Sequence, residues 1–191
     1  VIKISLGKFK GRIIKTLPSS GKDGYRPTTN KHRQLIFNIL KHSSKLPEID
    51  LMGANVADIC CGSGALGFEA LSLGADQAIF IDINSQVITN IKQTALQLGI
   101  AEKITTLQED ANKLSTAPFA CDIVFVDPPY HQNIISSCLQ GLIANGWLKD
   151  NHIIVLETAA HSPPIALDNF EILEEKLSGK TRLTFIIPLA K

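Results

Sequence analysis

The chain has 191 residues, the length of one domain with room for a small appendage. Of these, 45% are hydrophobic and 19% charged, the balance of an ordinary soluble globular protein. No apolar run approaches the ~18 residues of a membrane span and no signal peptide opens the chain, so a cytoplasmic protein is expected. The net charge of +1 hides an asymmetry. Residues 1–33 hold nine Lys and Arg against Asp23 alone, a balance of +8, which leaves −7 on the remainder. A basic arm on an acidic body fits a polyanionic partner held at one end, and competes with the plainer reading of a solvated basic face.

Residues 1–17 alternate weakly in hydrophobicity, and Gly7 and Gly11 bracket Lys8-Phe9-Lys10. This reads as a short hairpin with a basic, aromatic tip. Phe9 is suited either to stack on an exposed base or to pack on the body. Residues 19–24 have linker composition. A helix follows Tyr25-Arg26-Pro27-Thr28-Thr29, capped by Thr28 or Thr29, with Leu35, Ile36, Ile39 and Leu40 as its apolar stripe and Phe37 near the edge. It ends by Lys45-Leu46-Pro47.

From residue 56 strands and helices alternate. Strands are expected over 56–60, 78–81, 104–107, 123–126 and 153–156, and helices over 65–73, 85–98 and 134–143. Continuous apolar strands separated by helices predict a parallel sheet covered on both faces. Residues 170–177 and 182–189 break the alternation and read as a closing antiparallel hairpin. Five acids fall at or just past strand ends: Asp58, Asp82, Asp110, Asp127 and Glu157. Ligands of such folds sit beyond those ends, so the acids suggest a polar site along one edge.

Cys60, Cys61, Cys121 and Cys138 lack zinc spacing, and the five histidines lack ligand spacing. The cysteines read as buried small residues in a reducing compartment, and no metal is expected.

Gly62-Ser63-Gly64-Ala65-Leu66-Gly67 matches G-x-G-x-x-G, with Asp82 where a ribose-binding acid belongs. A dinucleotide and S-adenosylmethionine would both use such a loop. Asp58, four residues upstream, separates them. Against a pyrophosphate at ~4 Å it would repel by about 4 kcal/mol at an effective dielectric of about 20. The ammonium and sulfonium of S-adenosylmethionine would instead be attracted. Gly62 and Gly64 then let the backbone approach the cofactor, Asp82 accepts from the ribose hydroxyls, and Asp110 accepts from the adenine amino group. Helix capping is the competing role for Asp82 and Asp110.

The strand over 123–126 runs into Asp127-Pro128-Pro129-Tyr130. An exocyclic amino group on a base is a poor nucleophile because its lone pair is delocalised into the ring. Asp127 and the Pro128 carbonyl can accept its two N–H bonds and localise that pair. The consecutive prolines fix the turn, and Tyr130 offers a stacking face. The rate gain would come from alignment and fixed electrostatics.

Taken together, these motifs resemble the RsmD family of 16S ribosomal RNA guanine-N2 methyltransferases. The resemblance is carried by Gly7-Lys8-Phe9-Lys10-Gly11-Arg12, by Arg26-Pro27-Thr28-Thr29 with Arg33 and Phe37-Asn38, by Gly62 to Gly67, and by Phe125 to Tyr130. It implies a Rossmann-like class I methyltransferase fold, with residues 25–191 as the methyltransferase domain and 1–24 as a basic N-terminal extension. It implies methyl transfer from S-adenosylmethionine to N2 of one guanine of 16S rRNA, position 966 in the family's rRNA numbering, within the small ribosomal subunit. The expected catalytic set is Asp127, Pro128, Pro129 and Tyr130. The cofactor set is Asp58, Cys60, Gly62, Gly64, Asp82, Ile83, Asp110, Ala111 and Thr28. RNA contacts are expected from Lys8, Phe9, Lys10, Arg12, Arg26 and Arg33, and a monomer is expected. The alternatives are an adenine-N6 or protein glutamine-amide methyltransferase, a ribosome-assembly factor with a vestigial site and, more remotely, a nicotinamide oxidoreductase.

Overall fold

The computed structural model describes residues 2–17, 29–128, 132–162 and 167–189, without the side chains of Gln132 and Asn133. The chain opens with β1 (Ile2–Lys3) and β2 (Ile13–Ile14), paired antiparallel as the expected hairpin. Ile4 and Ile14 are buried in the main core, so the arm is fixed to the body. It comes closest at Gly7, whose φ is +72° and where a Cβ would collide with the Ser72 carbonyl. Only glycine meets both demands.

Helix α1 (Asn30–His42) starts where the Thr29 hydroxyl accepts the His32 N–H at 3.3 Å, so Thr29 is the N-cap. Ile36, Phe37 and Ile39 are buried while Leu35 and Leu40 are half-buried. The buried stripe is thus turned toward Phe37, which stands edge-on to Phe125 with ring centroids 5.7 Å apart. The helix ends at Ser43, whose N–H donates to the Ile39 carbonyl, short of the expected Lys45-Leu46-Pro47.

The alternating core follows as β3 (Asn55–Ile59), α2 (Ala65–Ser72), β4 (Gln77–Asp82), α3 (Ser85–Leu98), β5 (Ile104–Gln108), β6 (Cys121–Val126), α4 (Gln132–Ala144) and β7 (Leu148–Ala159). The strands β8 (Phe170–Ser178) and β9 (Thr181–Pro188) close the chain. Most of these bounds lie within two residues of the sequence expectation. Strand β7 is the exception, running over 148–159 where 153–156 was expected. After Leu148 its first residues are polar, and it joins β6 through a register shift between Cys121 and Ile123. Its last residues pair with β9 as far as Ala159 opposite Thr181. Hydrophobicity alone cannot see either extension.

The seven strands lie in the order β5-β4-β3-β6-β7-β9-β8. The first five are parallel, and β9 is antiparallel to both β7 and β8. This is the expected Rossmann-like α/β fold with a C-terminal antiparallel hairpin. Val56, Phe80, Phe125 and Val155 face one core, under the first three helices. Ile59, Ile81, Val126 and Leu156 face the other, with α4. Both faces are apolar because both are covered. No helix among the described residues is long and apolar enough to cross a membrane.

The pairing lines up Leu107, Ile81, Ile59, Val126 and Leu156 across the five parallel strands. The residues that follow therefore form a row at the carboxyl edge: Gln108, Asp82, Cys60, Asp127 and Glu157.

Candidate active site

The glycine loop leaves β3 at Cys60, whose φ of +58° is rare for a residue with a side chain. The turn is held from neighbouring strands. The Cys61 N–H donates to the Ile81 carbonyl at 2.8 Å and the Gly62 N–H to Asp82 Oδ2 at 2.9 Å. Asp82 Oδ1 accepts the Asn84 N–H at 2.9 Å. One carboxylate thus fixes both the loop and the approach to α3. The cap of α3 is Asn84, which accepts the Gln86 N–H, and not Asp82. Gly64 precedes α2 at φ +70°, and a Cβ there would strike Ile91. Its conformation and its packing both require glycine.

Asp58 lies beneath the loop, 2% exposed, and its Oδ2 accepts the Gly67 N–H at 2.9 Å. Burial raises its carboxyl well above the usual range. The Gly67 bond opposes that rise, and the charges of Asp127 and Asp82 add to it. Asp58 therefore supports the first turn of α2 from the core side. Burial also raises the Cys60 and Cys61 thiols, so both are neutral, packed groups at ordinary pH.

Past β4, Ile83 is 67% exposed between Asp82 and the segment that follows β5. Asp110 caps a single 3-10 turn, Ala111–Lys113, by accepting the backbone and side-chain N–H of Asn112, both at 2.9 Å. Those bonds hold its carboxyl below the usual range. Ala111 is buried beside it. Loop, carboxylate, apolar plate and capped turn thus share one edge of the sheet.

Asp127 stands one residue past β6, half-buried, and its N–H donates to the Ile59 carbonyl at 3.3 Å. It remains in the ladder beside β3, next to the loop. Pro128 is buried. Pro129 and Tyr130, with Thr28 and Arg26, lie outside the described residues.

The arm divides the expected RNA contacts. Lys8, Lys10 and Arg12 are exposed, and Arg12 reaches the Gln97 carbonyl at 3.1 Å near the C-terminal end of α3. Phe9 packs half-buried against the core. Its N–H donates to Ser72 Oγ at 2.8 Å, and Lys8 Nζ lies 5.5 Å from its ring centroid. Of its two expected roles it takes packing. Arg33 is a correction. It is 1% exposed, donates to the Lys3 carbonyl at 2.8 Å and to the Asn30 side chain, and is buried near Glu69. A guanidinium enclosed in this way is structural and does not meet RNA.

Glu69 was not anticipated. Fully buried in α2, it accepts the Ser5 N–H at 3.0 Å to each oxygen and also the Ser5 hydroxyl. Its neighbour along the helix, Ser72, accepts from Phe9 and donates to the Leu6 carbonyl at 2.6 Å. The arm is thus bonded to the helix that begins at the glycine loop. The available signal was the lone acid in the apolar run Ala65-Leu66-Gly67-Phe68-Glu69-Ala70-Leu71.

Comparison with known proteins follows the same lines. The family described as Conserved hypothetical protein 95 matches residues 2–187. The ribosomal RNA small subunit methyltransferase D of Haemophilus influenzae is 33% identical, the match covering 93% of this chain and 89% of that protein. Its namesake in Escherichia coli strain K12 is also 33% identical, over 94% of this chain and 86% of its own length. The solved structure of yhhF from Escherichia coli superimposes with a TM-score of 0.79 at 27% identity, covering 100% of this chain and 99% of that one. Matched nearly end to end in sequence and in fold, the chain belongs to the RsmD family of methyltransferases.

Proposed function

We propose that the chain transfers a methyl group from S-adenosylmethionine to the exocyclic N2 of a guanine in small-subunit ribosomal RNA, within the assembled or assembling small subunit. The observation that carries this reading is the carboxyl-edge row. There the glycine loop is bonded to Asp82, and Asp127 is laddered to β3 directly beside it.

The residues present fit the cofactor. Each Asp82 oxygen holds one backbone N–H, and lone pairs remain for two ribose hydroxyls. Ile83 offers an apolar plate to adenine, with Asp110 and Ala111 at its edge. Asp58 holds the turn from below through the Gly67 N–H and adds negative potential when ionised, and Cys60, Gly62 and Gly64 let the backbone come close. Thr28 completes the set. When bound, S-adenosylmethionine supplies an electrophilic methyl on a sulfonium.

The chain's own residues do the rest. Asp127 and the Pro128 carbonyl accept the two amino N–H bonds and draw the lone pair out of ring conjugation. Pro129 and Tyr130 complete the catalytic motif, Tyr130 as the stacking partner of a flipped base, and flipping costs least for an unpaired loop nucleotide. Held by the glycine loop, Asp82 and Asp110, the cofactor would supply its methyl to that lone pair and would keep the electron pair of its C–S bond. The methylated nitrogen, now cationic, hands one proton through Asp127 to water. The sulfonium is already an activated leaving group, so the reaction needs no metal. Lys8, Lys10, Arg12 and Arg26, on the basic extension and its junction with the methyltransferase domain, hold phosphates around the target. The protein works as a cytoplasmic monomer.

Nucleoside mass spectrometry tests this directly. The protein and S-adenosylmethionine are incubated with small subunits lacking the modification, and N2-methylguanosine is the expected product. N6-methyladenosine would keep the mechanism and overturn the base. Bound cofactor with no methylated nucleoside would move the reading to a protein substrate or to an assembly factor.

A further inference from the structure

We infer that Glu157 accepts the N1–H of the target guanine and so determines which base is methylated; this rests on the guanine reading above. Strands β6 and β7 are parallel, with Val126 paired to Leu156. The next residues, Asp127 and Glu157, therefore stand side by side, one interstrand spacing of about 4.8 Å apart.

The pleat places both on the same face. Phe125 and Val155 lie in the core under α1 and α2, whereas Val126 and Leu156 lie in the opposite core. One residue further, alternation returns Asp127 and Glu157 to the first face. Leu183, the partner of Glu157 on β9, is buried in that same core. Asp127 is still laddered to Ile59, and its charge acts on Asp58, which bonds to α2 on that face. Both acids are half-buried at the edge that carries the glycine loop.

A purine amino group gives Asp127 the same N–H whichever base bears it, so Asp127 cannot choose between bases. The atom next to the amino group can. In guanine it is N1–H, a donor. In adenine and in 2,6-diaminopurine it is an unprotonated N1, an acceptor. A carboxylate only accepts. Glu157, one strand beyond Asp127, is positioned to take the second donor of guanine. Against an unprotonated N1 it would set a negative charge on a lone pair and leave both unsatisfied.

The test uses small subunits reconstituted with rRNA carrying either guanine or 2,6-diaminopurine at the methylated position. The two bases share the N2 amino group and the sugar attachment, and differ at N1 and at the C6 substituent. Wild type is expected to prefer guanine by about 100-fold in kcat/KM. In Glu157→Gln the amide can donate to N1. That variant is expected to lose about tenfold on guanine, mostly in KM, and to narrow the preference to below about tenfold. Its affinity for S-adenosylhomocysteine should match wild type, which reports a folded cofactor site.

Equal use of the two bases by wild type would overturn the inference without any variant. So would a folded Glu157→Gln that keeps the wild-type preference. Failure of wild type to methylate guanine subunits at all would instead remove the guanine reading on which the inference stands.

Discussion

The glycine loop after β3 and the N-terminal arm are both glycine-marked turns, and they are built for opposite ends. At the loop, Gly64 starts a helix with its first N–H groups directed at the carboxyl edge, and buried or half-buried acids hold the turn from behind. At the arm, Gly7 lets backbone press on backbone at Ser72, and exposed cations remain on the outside. Helix α2 joins the two, with the loop at its N-terminus and the arm bonded to Glu69 and Ser72 near its C-terminus. A glycine motif therefore says that chains come close. The charge around it says whether the visitor is a ligand or another part of the protein.

Removing the chemistry while sparing the loop gives the largest expected effect. Asp127→Ala should lower kcat by about 10²- to 10³-fold, as loss of a transition-state acceptor does. Calorimetry should find S-adenosylhomocysteine binding within a few-fold of wild type, because the loop is bonded to Asp82. Loss of both together would mean that Asp127 also holds the loop. The arm breaks differently. Glu69→Leu removes a buried charge near Arg33 and leaves the buried Ser5 N–H without its acceptor, and should cost about 2 kcal/mol in denaturant unfolding. An unchanged midpoint would mean that the arm is held by its Ser72 bonds and apolar contacts and not by Glu69.

The next test acts on the outside of the arm. Lys8→Ala, Lys10→Ala and Arg12→Ala together should weaken binding to small subunits, and should reduce the slope of log affinity against log salt by about 2 to 3. Melting temperature should hardly move, since all three side chains are exposed. A wild-type salt slope would place the polyanion elsewhere.

The same comparison explains what the sequence could reveal. Apolar runs in phase with turn glycines marked every core strand and helix, because burial on both faces leaves no other pattern. Asp58, Asp82, Asp127 and Glu157 were visible because each interrupts or ends such a run, and Asp110 because it lies just past one. What each acid touches was not visible. Asp58 and Asp82 are alike in the sequence, yet Asp58 is enclosed under Gly67 while Asp82 is half-exposed at the edge. Arg33 was read with the basic arm because charge counts ignore burial, and Glu69, which lies near it, sits 36 positions away in the sequence. The pairing of Asp127 with Glu157 needed the register of two strands, which no local pattern carries.

The smallest expected effect separates the two duties of Asp58. Asparagine there can still accept the Gly67 N–H but cannot ionise. Burial raises the wild-type carboxyl above its unfolded value near ~3.9. The folded state therefore holds that proton more tightly than the unfolded chain does. The resulting stability is complete below the unfolded pKa and is lost as pH rises through the raised folded value. Asp58→Asn has no such loss. Its melting temperature relative to wild type should climb as pH rises past the unfolded pKa and level off above the raised folded value. A difference that stays flat with pH would mean that the carboxyl does not titrate abnormally. Cofactor affinity gives the second half of the test. If the charge of Asp58 attracts the sulfonium through the loop, the asparagine variant should bind S-adenosylmethionine a few-fold more weakly while its affinity for the neutral thioether product changes less. An equal loss on both would assign Asp58 to the shape of the loop alone.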